Sequence, residues 1–371
     1  VRALSVVCTD YMSTNVAITN PDGTVLSGSF VSSGSALPGL SLALSNDVDV
    51  PFVPPASGRA VIIDRYGTDV LTWMDLSKAS VLAQLPVGTG FEANPHDYVE
   101  IDATHAFVTR YGTNPTPGEQ LFDTGGDVLI VDTANYAISG SIPMPEENPS
   151  LQPCPDTMSW VGGDVAVTLG RFSADFSQVG DGRFVGLSPA TRSIAWTVDV
   201  PGLQNCGRVA VSPSGKVAAI ACSSEEDATT STYDPTHSDI VLYDATQAPP
   251  VETKRLGLGT KLNAGLQQQI VFAGEGTLVG LTYGGNATPG DTVFAVDTTS
   301  GAVTALGAAT MPYSLAGLRC APGCGGICVL GDGEKSVVRR WQVEGTAFTP
   351  LSDVNVDPTV GLPPRDIGGL L

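Results

Sequence analysis

One short pattern returns along this chain: an apolar, β-branched run that ends in Asp or a comparable turn former. It closes at Asn20, Asp75, Asp132, Ser188, Asp244 and Asp297, at intervals of 53 to 57 residues. Leu129-Ile-Val-Asp132, Ile240-Val-Leu-Tyr-Asp244 and Val293-Phe-Ala-Val-Asp297 are the clearest copies, and Val337 to Val343 is a more divergent seventh. The stretch Asn94 to Met144 shows the whole unit. Extended runs lie at His96–Ile101, Ala106–Arg110, Asp127–Asp132 and Tyr136–Ile142, with turn residues between them. The third run is apolar at successive positions, so it must be buried on both faces. A lone four-stranded sheet cannot cover both of its faces, so copies must flank it. A period of about fifty residues with four strands per unit predicts an all-β, seven-bladed β-propeller of four-stranded antiparallel blades.

The repeat makes the 371 residues one domain. Blade 1 takes about residues 1–30 with 363–371, and blades 2 to 7 take 46–87, 94–144, 153–201, 205–257, 262–308 and 311–352. Blade 1 lacks an inner strand at its own start. Pro364-Arg-Asp366 resembles Pro95-His-Asp97, the opening of blade 3, so the C-terminal strand is expected to pair into blade 1 and close the ring.

Composition narrows the function. Lys plus Arg number 18 against 38 Asp plus Glu, a net charge of −20, which repels phosphate backbones and excludes nucleic acid. No run of 18 apolar residues is present, so no transmembrane segment is expected. The chain begins at Val1 without an initiator Met, which reads as a removed leader or a trimmed end. Seven cysteines, several placed where strands would pair them, point to a secreted, periplasmic or cell-surface protein.

Cys206 opens an inner strand and Cys222 closes the next, so antiparallel pairing sets them side by side for a disulfide. Cys320 and Cys328 flank a Gly-rich turn that a second disulfide would staple, with Cys324 between them; Cys8 and Cys154 are unassigned. Carboxylates recur at the inner-strand entrances, and Asp97, Asp156 and Asp366 are a candidate Ca²⁺ set at the channel mouth; they are also suited to capping turns and pairing with Arg208 and Arg365. His96 beside Asp97 is the sole histidine near an entrance, and no HExxH or GxSxG motif is present. Long insertions at 112–126, 171–181, 223–238 and 284–291 all fall between second and third strands, which places them on one face of the disc. The longest carries Glu225, Glu226, Asp227 and Asp234, candidate contacts for a basic or Ca²⁺-bridged protein partner or for self-association. Trp73, Trp160, Trp196 and Trp341 lie mainly on predicted strands, where blade packing is their expected use.

The succession Pro-x-Asp, Val-Thr-Arg-Tyr-Gly and Val-Leu-Ile-Val-Asp-Thr resembles the secreted bacterial seven-bladed propellers of the YncE-like and surface-layer-associated repeat kind. The resemblance covers nearly the whole chain and rests on blade-building residues. It implies fold and export and carries over no catalytic residue. Taken together, the sequence favours an exported, non-enzymatic interaction or structural module able to self-assemble. The alternative is an enzyme of lactonase or lyase type using a metal at the channel mouth, with His96, Asp97 and Asp156 as its candidates, or a carbohydrate- or small-ligand-binding propeller.

Overall fold

The computed structural model describes residues 2–321 and 326–371. Seven four-stranded antiparallel sheets form the ring, each ordered from the channel outward. Blade 3 is representative, with strands Pro95–Glu100, His105–Thr113, Gly125–Asp132 and Ala137–Pro143. Its third strand is buried along almost its full length. The period of two explains why: Val128 and Ile130 pack against blade 4, while Leu129 and Val131 pack against blade 2. Seven such clusters fill the seven interfaces between neighbouring blades. The ring closes where Pro364–Leu370 pairs with Ala3–Thr9, placing Ile367 opposite Val6. One apolar cluster then joins Leu4, Val6 and Ile367 to Val329 and Val338 of blade 7.

The recurrent aspartates have a local task. The Oδ1 atoms of Asp75, Asp132, Asp244 and Asp297 accept the backbone N–H two residues on, at 2.9 to 3.0 Å. Each caps the outer hairpin of its blade, as an Asx turn does. Asp75 is held down to about 2 by hydrogen bonds from Ser77 and Lys78.

At three places the chain departs from the strand pattern expected of it. The inner strand of blade 2, expected from Asp47 to Val53, is only Val48–Asp49. Pro51, Pro54 and Pro55 lack the N–H that a ladder needs, so the chain leaves the sheet. A five-residue helix, Leu258–Leu262, links blades 5 and 6. The 223–238 insertion folds its own small hairpin, Glu226–Asp227 with Thr232–Tyr233. No helix among the described residues is long and apolar enough to cross a membrane.

Candidate functional site in the central channel

The inner strands share one irregularity, and it builds the site. In six blades the ladder between the inner and second strands skips residues near the start of the inner strand. The skipped residues are Arg365 in blade 1, His96 and Asp97 in blade 3, Asp156 and Thr157 in blade 4, and Arg208 in blade 5. Blade 6 skips Gln267 to Gln269, and blade 7 skips Gly317 and Leu318. A bulge releases a residue from pairing and re-aims its side chain. Arg208 carries the strain of this openly, with φ at 40°, a left-handed value costly for a side chain of its size. Side-chain hydroxyls replace the lost ladder partners: Thr109 accepts the Asp97 amide at 2.9 Å, Thr168 the Thr157 amide at 3.2 Å, and Thr157 the Arg208 amide at 2.7 Å.

The released side chains converge on a polar cavity of about 350 Å³ at the mouth of the channel. Arg65 of blade 2 donates to Asp49 at 2.8 Å and to His96 Nε2 at 3.0 Å. A guanidinium can only donate, so Nε2 of His96 accepts, and Nδ1 carries the proton and donates it to Asp156 at 2.7 Å. His96 also stacks on Tyr111, with ring centroids 4.5 Å apart. Burial, then the Arg65 charge, holds the imidazole below its ordinary value, so it is neutral near pH 7. Burial alone would raise Asp156; the His96 hydrogen bond and nearby positive charges outweigh it and keep the carboxylate ionised. Burial lifts Asp49 to about 6 against the pull of Arg65.

The partner of His96 is Asp156 rather than its chain neighbour Asp97. Successive residues on an extended chain point apart, so Asp97 turns between blades. It accepts backbone N–H bonds from Phe52 at 3.2 Å, Tyr98 at 2.8 Å and Met158 at 2.7 Å. Burial lifts its carboxyl to about 7, against those three bonds. Asp366 accepts the Val50 amide at 3.2 Å and lies 3.7 Å from Arg319. The three carboxylates considered for Ca²⁺ therefore face separate partners. Among the described residues no three His, Cys, Asp or Glu side chains gather as a metal-binding group.

What remains unpaired in the mouth is one-sided. Among the described residues that line it, the buried atoms without a partner are Arg208 Nε and Nη1, Gln267 Nε2 and Arg365 Nε, all of them N–H donors. Burial depresses Arg208, a residue only 7% exposed. These buried free donors offer N–H groups to an acceptor-rich guest, beside Asp47, Asp49, Asp97, Asp156 and Asp366, which also line the cavity.

An aromatic wall closes one side. Tyr233, from the 223–238 hairpin, stacks on Tyr283 at 4.6 Å, and its hydroxyl meets that of Tyr313 at 3.1 Å; Tyr283 and Tyr313 both line the mouth. The acids of this insertion serve mainly their own loop. Asp227 accepts the amides of Thr229 and Thr230, Asp234 accepts that of Thr236, Glu226 accepts from the Tyr233 hydroxyl at 3.4 Å, and Glu225 sits half-buried just before the hairpin.

Below the mouth, Phe52 lines both this cavity and a second one. The proline-flanked segment that leaves blade 2 inserts Phe52, whose ring lies between two guanidiniums, 4.2 Å from Arg208 and 4.6 Å from Arg319. No periodicity announced this segment. Its available signal was the Pro51-Phe52-Val53-Pro54-Pro55 run, which an inner strand cannot accommodate.

Disulfides join Cys206 to Cys222 and Cys320 to Cys328. Cys8 and Cys154 are free and buried; Cys324 lies outside the described residues. Trp73, Trp196 and Trp341 are buried between blades, whereas Trp160 is only half-buried and faces the channel below Phe52.

No protein-family model matches the sequence, and no curated protein matches it. The fold, however, recurs among solved structures. A Bacteroides fragilis protein named provisionally as a 6-phosphogluconolactonase aligns with a TM-score of 0.60 at 12% identity, over 99% of this chain and 97% of its own. A Bacteroides uniformis protein of the same provisional name gives 0.59 at 14% identity, covering 99% of each chain. The periplasmic gluconolactonase of Pseudomonas aeruginosa gives 0.58 at 13% identity, over 100% of this chain and 99% of its own. At these identities the likeness is one of fold, that of the seven-bladed propeller.

Proposed function

We propose that this protein acts on, or captures, a small acceptor-rich anion of the sugar-acid or sugar-lactone class at the channel mouth. The observation that carries the reading is the set of unpartnered N–H donors, Arg208 Nε and Nη1 with Gln267 Nε2 and Arg365 Nε, beside a His96–Asp156 pair. The solved propellers named as lactonases support the same choice over a purely structural role. In this reading Arg208 and Gln267 receive the carboxylate or ring oxygens, and the tyrosine wall packs against the carbon skeleton. Asp156 holds His96 in the tautomer whose Nε2 lone pair accepts. Arg65 occupies that lone pair in the free protein and is also held by Asp49 and Asn94. A guest oxygen that draws Arg65 away leaves Nε2 to take a proton from the water that attacks a lactone carbonyl. The two disulfides support residence in an oxidising compartment, hence export.

The test is hydrolysis of glucono-δ-lactone and 6-phosphoglucono-δ-lactone followed in a pH-stat, with gluconate binding by calorimetry. The expected result is turnover above the spontaneous rate, or saturable gluconate binding, lost in Arg208→Met. Rates equal to buffer with both lactones and no heat with gluconate overturn the reading. They would return the loop face, with its 223–238 insertion, to first place as the functional surface.

A further inference from the structure

The opposite side of Phe52 holds a second cavity, of about 310 Å³, with a different chemistry. Its wall is mainly apolar: Leu4, Val53, Trp160, Val211, Val271 and Phe272, under the Phe52 ring. Two polar side chains interrupt that wall, and both have unmet hydrogen-bonding capacity. Arg319, 7% exposed, has Nε and Nη2 without a hydrogen-bond partner. Ser159, 4% exposed, has an unpartnered hydroxyl. Arg319 spends one arm on the Leu318 carbonyl at 3.0 Å, and its nearest carboxylate, Asp366, stands 3.7 Å away, beyond hydrogen-bond length. Burial, then the neighbouring Arg208 charge, brings this guanidinium down to about 9.

A buried guanidinium with two unmet N–H groups beside an apolar enclosure is stabilised when an anion meets them. A buried donor pair, guanidinium and hydroxyl, beside an indole and two phenyl rings matches a molecule with an acid at one end and a ring or short hydrocarbon at the other. Ligand sites of this kind are mostly apolar with a few convergent polar groups. The volume suits a monocyclic acid, since a cavity of roughly 150 Å³ already takes benzene.

We propose that this lower chamber is a binding site for a small apolar carboxylate, its acid on Arg319 and Ser159 and its ring or chain between Phe52 and Trp160. The site is separate from the polar mouth, which has its own donors, and it does not rest on the lactone reading. A sugar acid is excluded from it because the wall offers its hydroxyls no partners.

The experiment titrates the intact protein with phenylacetate, hexanoate, the neutral isostere phenylacetamide, and gluconate. Calorimetry and tryptophan fluorescence are the readouts. Phenylacetate is expected to saturate a single site and quench Trp160. Phenylacetamide should bind roughly ten-fold or more weakly, the loss expected when a charge-assisted hydrogen bond becomes neutral. Arg319→Met should erase the preference for the acid over the amide, and Ser159→Ala should reduce it. Val211→Trp, which fills the chamber without touching either donor, should abolish binding of both. Gluconate should not compete. Absence of saturable binding of either carboxylate overturns the proposal, as does binding that Val211→Trp leaves intact. If Arg319→Met fails to fold, Val211→Trp together with the acid-to-amide ratio in Ser159→Ala decides the matter.

Discussion

The two ends of the channel share the inner strands of blades 4 to 7 and have opposite character. At the mouth, bulges free His96, Asp156, Arg208 and Gln267 from the ladder, and polar groups fill the space. Further along, regular pairing resumes, and positions such as Trp160, Ala210 and Phe272 present apolar side chains instead. One ring, Phe52, lines both. The character of each cavity thus depends on where the regular ladder begins. A short irregular stretch yields a donor-rich site, and the regular strand beyond it yields a greasy one.

That contrast can be broken most directly at the divide. Phe52→Ala should remove the partner of two guanidiniums and join the cavities, lowering stability by about 3 to 4 kcal/mol in urea denaturation. It should also make phenylacetate and gluconate interfere with each other; unchanged stability with independent binding would mean that the ring separates nothing. Each end also carries one disulfide. Loop lengths set by separations of 16 and 8 residues make Cys206–Cys222, beside the mouth, worth about 3 kcal/mol and Cys320–Cys328, beside the chamber, somewhat less. Paired Cys→Ala variants compared by denaturation would check that order.

Arg208→Met sharpens the contrast from the mouth side. It should lower lactone turnover or gluconate affinity about 100-fold, as loss of a buried charge-assisted donor does, while leaving stability unchanged or raised by about 1 kcal/mol, because a buried charge with no salt bridge is replaced by an apolar chain. Parallel loss of folding and activity would reassign Arg208 to a structural role. The smallest effect concerns His96. Its native value lies below the ordinary 6.5, so the unfolded chain takes up a proton first as pH falls. Its contribution to stability is therefore present above pH 6.5 and is lost as pH drops through and below that value. His96→Gln should lack this slope in denaturation curves taken at stepwise lower pH.

The blades were legible in the sequence because their signals are local and repeated. The capping aspartates recur for a hydrogen-bonding reason, the period-two burial follows from flanking blades, and Cys206 and Cys222 face each other by strand pairing alone. Closure by Pro364–Leu370 was legible from its likeness to the start of blade 3. The site was legible only in part. His96 and Asp156 were recognisable as chemistry-bearing residues, but which carboxylate meets the imidazole depends on a bulge that turns Asp97 between blades. Bulges leave little trace in hydrophobic pattern. Arg319 and the Gln267 to Gln269 run were visible as polar residues on inner strands, where a purely structural blade has apolar ones, and that mismatch was the unused clue.

Ring closure has a consequence for how the molecule comes into being. The hydroxyl of Ser5 reaches the carbonyl of Gly368 across 363 positions, and the strands that carry them share one sheet. On the ribosome, Ala3–Thr9 emerges early and keeps an unpaired edge until nearly all the other blades have been made. Loop-closure entropy must be overcome before that last pairing adds stability, so final folding is slow and unfinished rings expose strand edges that invite misassembly. The circle exists only when it is complete, and both cavities, each lined in part by the closing strand of blade 1, come into existence in that last step.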